Sequence, residues 1–472
     1  MKRLYLTLLI FSFLISWTTS IQAQTLTMSP EEMMANASRS EKNGWIIIHI
    51  QGTPEVMGYQ HGYLLADEIL DLRGALQMLN EKGTGRSWDF YRNESYRLFW
   101  SDTPEEYKKE MEGIAAGVNA KSGKGKTDIK DIVAINSFIE MTGYYVPWLE
   151  NQKHPVPAEH CSAFAATGSW TSDGGIVIAH NNWSEYVIGE RWNIIIDMIP
   201  EKGNRVVMDA LPGLIQSGDD FYINSAGLIV TETTISNFKG FDTLGVAEFV
   251  RARKAIQYSS SIDEWVSVMV DRNNGGYAND WLLGDYKTGE IARLELGLKN
   301  HILERSSDGY FTGANFPINE KFIKEETGFD PSSRDASPNF RRIRWEQLMK
   351  ENKGKINVAM ARNFMGDHFD AKRGKEVAGR FSLCGHLDED NAGKNEISWD
   401  GAYYHAGAVQ GKATDSNLAR RLQFWAIMGH PCGTPFNSKH FLKEHPEYSF
   451  EKDFLRDMPG QKWLLTGKSD LK

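Results

Sequence analysis

Glu159-His160-Cys161-Ser162-Ala163-Phe164-Ala165-Ala166-Thr167-Gly168-Ser169-Trp170-Thr171-Ser172-Asp173-Gly174-Gly175-Ile176-Val177-Ile178-Ala179-His180-Asn181-Asn182-Trp183 reads as a β-hairpin. Small and apolar residues run from Ser162 into a Ser-Asp-Gly-Gly turn, and the apolar strand Ile176 to Ala179 returns from it. Cys161 stands at the start of the first strand. Just before it lies His154-Pro155-Val156-Pro157-Ala158, where two prolines remove backbone donors and forbid a helix. A cysteine that opens a strand after an exposed linker is placed to become a new chain terminus. The same spacing also suits a small buried cysteine in a core strand.

Working outward, the chain has 472 residues, of which 41% are hydrophobic and 24% charged, as expected of a soluble globular protein. Its 14 Trp, 17 Tyr and 23 Phe suffice for a large core and an apolar cleft. A net charge of −9 argues against nucleic acid as a partner. Residues 1–23 have the pattern of a signal peptide: Lys2 and Arg3, an apolar run from Leu4 to Trp17, and the cleavage triplet Ile21-Gln22-Ala23. An uncleaved anchor is the alternative, but the run is short against the ~20 residues a span needs. The expected location is therefore periplasmic or secreted, or lumenal in a eukaryote. Cys161, Cys384 and Cys432 are too few for a disulfide framework. A Cys384–Cys432 bridge is open, and either way one thiol is left over as a candidate nucleophile.

Residues 24–43 read as loose and polar, Trp45–Ile50 as a strand, and residues 58–141 as several helices. After Cys161 short strands follow one another at 162–171, 175–181, 192–199, 204–209, 221–224, 227–234, 280–286 and 290–296. Helices are expected at 245–257, 261–270, 340–351, 356–365 and 414–428. Runs of strands with grouped helices predict a layered α+β fold with mainly antiparallel sheets.

A thiol needs help to act as a nucleophile, because its unperturbed pKa is about 8.5. One solution uses the nucleophile's own α-amino group, freed by cleavage of the preceding peptide bond. At this point the residues carry a resemblance. Cys161-Ser162-Ala163 followed by His180-Asn181-Asn182-Trp183-Ser184-Glu185-Tyr186 resembles the signature of phospholipase B-like proteins. So do Leu211 to Tyr222, Ser225 to Thr234, Asn273 to Tyr286, Ser337 to Arg342, and Gly407 to Ser416. Gly58-Tyr59-Gln60-His61-Gly62 is similar to the related penicillin acyltransferase-like cysteine family.

The resemblance implies an N-terminal-nucleophile (Ntn) hydrolase with a four-layer α-β-β-α sandwich. It implies cleavage between His160 and Cys161, with a small chain from 24–160 and a catalytic chain from 161–472 remaining one structural unit. It implies hydrolysis of acyl esters of phospholipid-like amphiphiles, and contact with a membrane surface through the substrate. An amidase or acyltransferase on N-acyl compounds, or a non-catalytic lipid-binding protein, would use the same scaffold. Cys161 would be the nucleophile. Asn279 would donate to the oxyanion, a contribution of about 3 kcal/mol for one such donor, and Thr234 would be a second polar group there. His180 and Trp183 would line the pocket, and Arg341 would sit beside them and orient the nucleophile. Asp219-Asp220 reads as a cap or turn. No cofactor is expected. No metal is expected either, because His-Glu-x-x-His is absent and His368, His386, His405 and His430 lack ligand spacing.

Overall fold

Asn43 (φ +50°) and Gly44 (φ +81°) both adopt the left-handed conformation that a two-residue hairpin turn requires. They join β1 (Ser38–Lys42) to β2 (Trp45–Gly52), so a strand stands in the segment expected to be loose. The computed structural model describes residues 28–150, 161–219, 221–390 and 405–467. The expected signal peptide and His160 lie outside the described residues.

In chain order the next strands are β3 (Ser162–Thr167), β4 (Val177–Glu185), β5 (Ile194–Pro200), β6 (Val206–Ala210), β7 (Tyr222–Asn224) and β8 (Leu228–Thr234). Then come β9 (Asn279–Asp285), β10 (Glu290–Leu296), β11 (His301–Ser306), β12 (Gly309–Gly313), β13 (Phe369–Asp370) and β14 (Lys375–Glu376). β15 (Ala406–Asp415), β16 (Trp425–Met428) and β17 (Leu464–Leu465) complete the set. Nine strands form one sheet in the order β1-β2-β5-β6-β7-β8-β9-β10-β11. Six form the other, β12-β3-β4-β15-β16-β17. Of the pairings in these two sheets only β2 with β5 is parallel. That pairing also places residues from before and after position 160 in one sheet.

The two sheets lie face to face. A Cβ added to Gly313 on β12 would come within 2.4 Å of Thr233 Oγ1 on β8, and one on Gly284 of β9 within 3.0 Å of Ile178 on β4. Alternation along β3 divides its side chains accordingly. Ala163 and Ala165 join the large inter-sheet core, while Phe164 and Ala166 join a second core beneath the helices Ser337–Glu351 and Val358–Met365. The Phe164 ring meets Trp345 at 5.3 Å and Phe364 at 5.9 Å. On the far side of the nine-stranded sheet, the helix Ile262–Val270 sets Trp265 against Trp281 of β9 at 5.1 Å. The layers are thus α-β-β-α, the α+β sandwich expected.

Gly58-Tyr59-Gln60-His61-Gly62 has a packing explanation. A Cβ at Gly58 or Gly62 would lie 1.9 Å from the Glu110 carbonyl oxygen or 2.0 Å from that of Ile114. Gly113 and Gly117 make the reciprocal approach, so the helices Pro54–Leu64 and Glu105–Ser122 cross backbone to backbone. The helix expected at 414–428 does not form. β15 runs to Asp415, whose side chain caps the single turn Ser416–Ala419, and Leu422 at φ +56° turns the chain into β16. The cross-strand pairs Gln410 to Met428 through Ala413 to Trp425 take the backbone groups a helix would have used.

Candidate active site

Cys161 is fully buried at the mouth of β3, and none of the three cysteines is in a disulfide. Ala163 pairs with His180 across the hairpin, so the alternation puts Cys161 and His180 on the same face of the sheet. A ring nitrogen of His180, the Cys161 sulfur and a carboxylate oxygen of Glu232 from β8 all lie within 4.8 Å of one another. Neither nitrogen of His180 has a hydrogen-bond partner among the described residues. Burial, followed by the Lys412 ammonium, pushes the imidazole well below its usual range. His180 is therefore a neutral base beside a thiol.

Glu232 was not among the expected residues, although it opens the Glu-Thr-Thr end of a motif block. Burial drives its carboxyl well above the usual range, against a hydrogen bond from Tyr277. The Tyr277 hydroxyl donates to Glu232 Oε1 at 3.1 Å, and Thr234 Oγ1 donates to the same hydroxyl at 3.0 Å. With its amide oriented to satisfy both neighbours, Asn279 donates to Glu232 Oε2 at 2.7 Å and to the Ala278 carbonyl at 3.0 Å. Asn279 and Thr234 thus belong to the cluster, but both are engaged with the Glu232–Tyr277 pair.

Arg341 closes the ring of contacts from the other side. Its guanidinium donates to the Cys161 carbonyl at 2.7 Å, to Ser162 Oγ at 3.1 Å, to Asn315 Oδ1 at 2.8 Å and to Ser337 Oγ at 3.0 Å. Asn315 in turn donates to the Thr234 carbonyl at 2.7 Å. Arg341 is fully buried, and its bond to the Cys161 carbonyl gives it the geometry of a residue orienting the nucleophile. Trp183, expected to line the pocket beside His180, lies elsewhere. It shares a strand face with Asn181 and lies opposite His180, because strand side chains alternate. Its Nε1 donates to the Leu383 carbonyl at 3.1 Å, and Asn181 Nδ2 donates to that same oxygen at 3.1 Å. Trp183 is core to the outer layer, with the Arg341 guanidinium 4.9 Å from its ring centroid.

Behind His180 stands a set of charges the motif reading missed. Lys412 pairs with His180 across β4 and β15, and its Nζ is 3.0 Å from Asp209 Oδ2 and closer still to Asp219 Oδ2. Burial works to lower the Lys412 ammonium, but the two aspartates raise it above its ordinary value. Burial and the Asp219 charge raise Asp209; Asp219, which burial alone would raise, is brought below the usual range by Lys412. Asp219 sits in the bend after Gly218 (φ +87°), as expected, but is an interior charge partner as well, while Asp220 lies outside the described residues. The legible signal was a lysine inside the strand Ala406–Asp415, most of whose other residues are small or apolar.

The histidines expected to be scattered are not all scattered. His368 and His386 meet Cys384 and Cys432 on the outer face, with one ligand atom from each inside a 4.8 Å cluster.

Residues 79–304 match the family profile of phospholipase B. A putative phospholipase B-like 2 of Rattus norvegicus is 32% identical over 153 residues, covering 29% of this chain and 26% of that protein. A putative phospholipase B-like 1 of Caenorhabditis elegans is 27% identical over 334 residues, covering 63% of this chain and 56% of that protein. The matched stretches thus span from about a quarter to just over half of these relatives' lengths. Among solved structures, a variant of conjugated bile acid hydrolase from Clostridium perfringens aligns at 10% identity with a TM-score of 0.33, covering 57% of this chain and 89% of that one. On the family profile, these relatives and its own motif blocks, the chain is similar to phospholipase B-like proteins over the matched residues.

Proposed function

We propose that this chain is an exported, self-processing cysteine hydrolase that cleaves acyl ester bonds of phospholipid-like amphiphiles. The observation that carries the reading is the buried thiol of Cys161 at a strand start, beside the neutral His180 and Glu232, with its carbonyl clamped by Arg341. In the processing step the Cys161 sulfur attacks the His160 carbonyl carbon. The scissile nitrogen leaves as the Cys161 α-amine, and water hydrolyses the resulting thioester. His180 suits acceptance of the thiol proton, since it is uncharged and has a ring nitrogen within 4.8 Å of the sulfur. In turnover the freed α-amine would serve as base. Sulfur attacks the acyl carbonyl, the alcohol departs with a proton, and water releases the acid. The sharing of one sheet by β2 and β5 supports the view that both chains stay together after cleavage.

Intact mass of the wild type beside Cys161→Ala tests the proposal. Two wild-type fragments, the larger beginning at Cys161, with an uncut variant, are expected. Incubation with phosphatidylcholine vesicles should then release fatty acid, and N-acyl amides should not compete. An uncut wild type whose Cys161 also resists alkylation would overturn the mechanism.

A further inference from the structure

We propose that His368, Cys384, His386 and Cys432 form a structural zinc site, a role independent of the hydrolase reading. Two thiols and two imidazoles are a donor set suited to zinc and poorly suited to calcium or magnesium, which prefer oxygen. The spacing is already that of a coordination shell. Zinc takes sulfur at about 2.3 Å and nitrogen at about 2.0–2.1 Å, so a tetrahedral site separates S and N by about 3.6 Å. His386 Nε2 lies 3.5 Å from Cys384 Sγ and 3.4 Å from Cys432 Sγ. His368 places its ligand atom within the same 4.8 Å cluster. Four protein ligands leave no position for water, which is the arrangement of a structural site and not of a catalytic one.

The surroundings fit a metal as well as the ligands do. The backbone N–H of Thr434 points at Cys432 Sγ from 3.4 Å, a donor suited to a thiolate. His386 Nδ1, on the side of the ring away from the sulfurs, has no hydrogen-bond partner among the described residues, and Glu389 Oε2 stands 3.9 Å from it. His430 stacks on His386 at 3.8 Å and is fixed by a 2.6 Å hydrogen bond from its Nδ1 to the Ala408 carbonyl. There is also a reason for a crosslink here. Between Gly366 and Asp390 the regular structure consists of the two-residue strands β13 and β14 and one 3-10 turn, Leu387–Glu389. This thinly structured segment nonetheless supplies the Leu383 carbonyl that holds Asn181 and Trp183 of β4. A metal joining it to Cys432 would fasten that wall to the body of the protein.

Metal analysis of the full chain as isolated, without chelator, is the test. About one zinc per chain is expected. Cys432→Ser and His386→Gln should each lose it, whereas Cys161→Ala should keep it. Because the ligand variants could misfold, the wild type is also stripped, reduced and titrated with Co²⁺. Thiolate-to-cobalt charge-transfer absorption saturating at about one equivalent supports the site. Absence of those bands, or a Cys384–Cys432 disulfide in metal-free isolated protein by non-reducing peptide mapping, would overturn it.

Discussion

Replacing Lys412 with Met asks whether the charges between the sheets form a matched set. Lys412, Asp209 and Asp219 are all fully buried, and the Lys412–Asp209 contact is 3.0 Å. At an effective dielectric of about 20 that one contact is worth about 5–6 kcal/mol before desolvation. The burial of the ammonium offsets much of this. What the substitution leaves, however, is two carboxyls with no cation, and breaking a buried pair in this way costs about 3–5 kcal/mol. The sign of the pH dependence follows. In the wild type Lys412 holds Asp219 below its ordinary value, so that group adds stability above its unfolded pKa and loses it as pH falls. In Lys412→Met burial dominates and both carboxyls titrate high. Their cost is then full at neutral pH and fades as pH approaches the unfolded value of about 3.9. Urea unfolding followed by tryptophan fluorescence should show the deficit near neutral pH, a smaller one near pH ~5, and partial recovery in Lys412→Met/Asp219→Asn. A deficit under about 1 kcal/mol at neutral pH, or one indifferent to pH, would refute the matched-charge argument.

Other substitutions separate positioning from packing. Arg341→Met removes a charged hydrogen bond to the Cys161 carbonyl worth about 1.5–3 kcal/mol, so processing followed by intact mass should slow about 10- to 100-fold. His180 is held neutral when folded but can take a proton when unfolded, so wild-type stability should fall as pH drops below about 6.5, and His180→Gln should flatten that slope in denaturant midpoints. Gly385→Ala would put a Cβ 2.0 Å from the Trp183 ring, and urea midpoints should register a loss of about 1–3 kcal/mol.

The hairpin around Cys161 was legible because two local signals agreed: an Asp-Gly-Gly turn and apolar residues on both sides of it. β1 was not read, because the polar residues around Asn43-Gly44 masked the hairpin turn that pair makes. The segment 414–428 misled because Ser416-Asn417-Leu418-Ala419-Arg420-Arg421 favours helix locally, whereas β16 pairing on β15 decides the outcome. The four outer-face ligands illustrate a different limit. Cys384 and His386 are two residues apart, but Cys432 is 46 residues from His386, and only loop packing brings it back. Glu232 and Lys412 lay inside recognised motif blocks. Their burial, which gives them chemical interest, depends on two sheets closing over them and has no local signature.

β4 shows how closely chemistry and anchoring are interleaved. His180 faces the inter-sheet cluster, and Asn181 and Trp183 face the loop that carries Cys384. A slip of one residue would exchange those faces, burying an indole among charges and moving the imidazole away from the thiol. The register must therefore be pinned from both sides. Asn181 Nδ2 does so on the outside, donating to the Met365 carbonyl at 2.7 Å and to that of Leu383. Lys412, paired directly with His180, does so on the inside, because its ammonium must reach Asp209 and Asp219 and no other position on β15 supplies a cation. Arg341 then fixes the neighbouring strand through the Cys161 carbonyl. The thiol is aligned by bonds to the backbone and to its neighbours, which leaves its sulfur to the His180–Glu232 side.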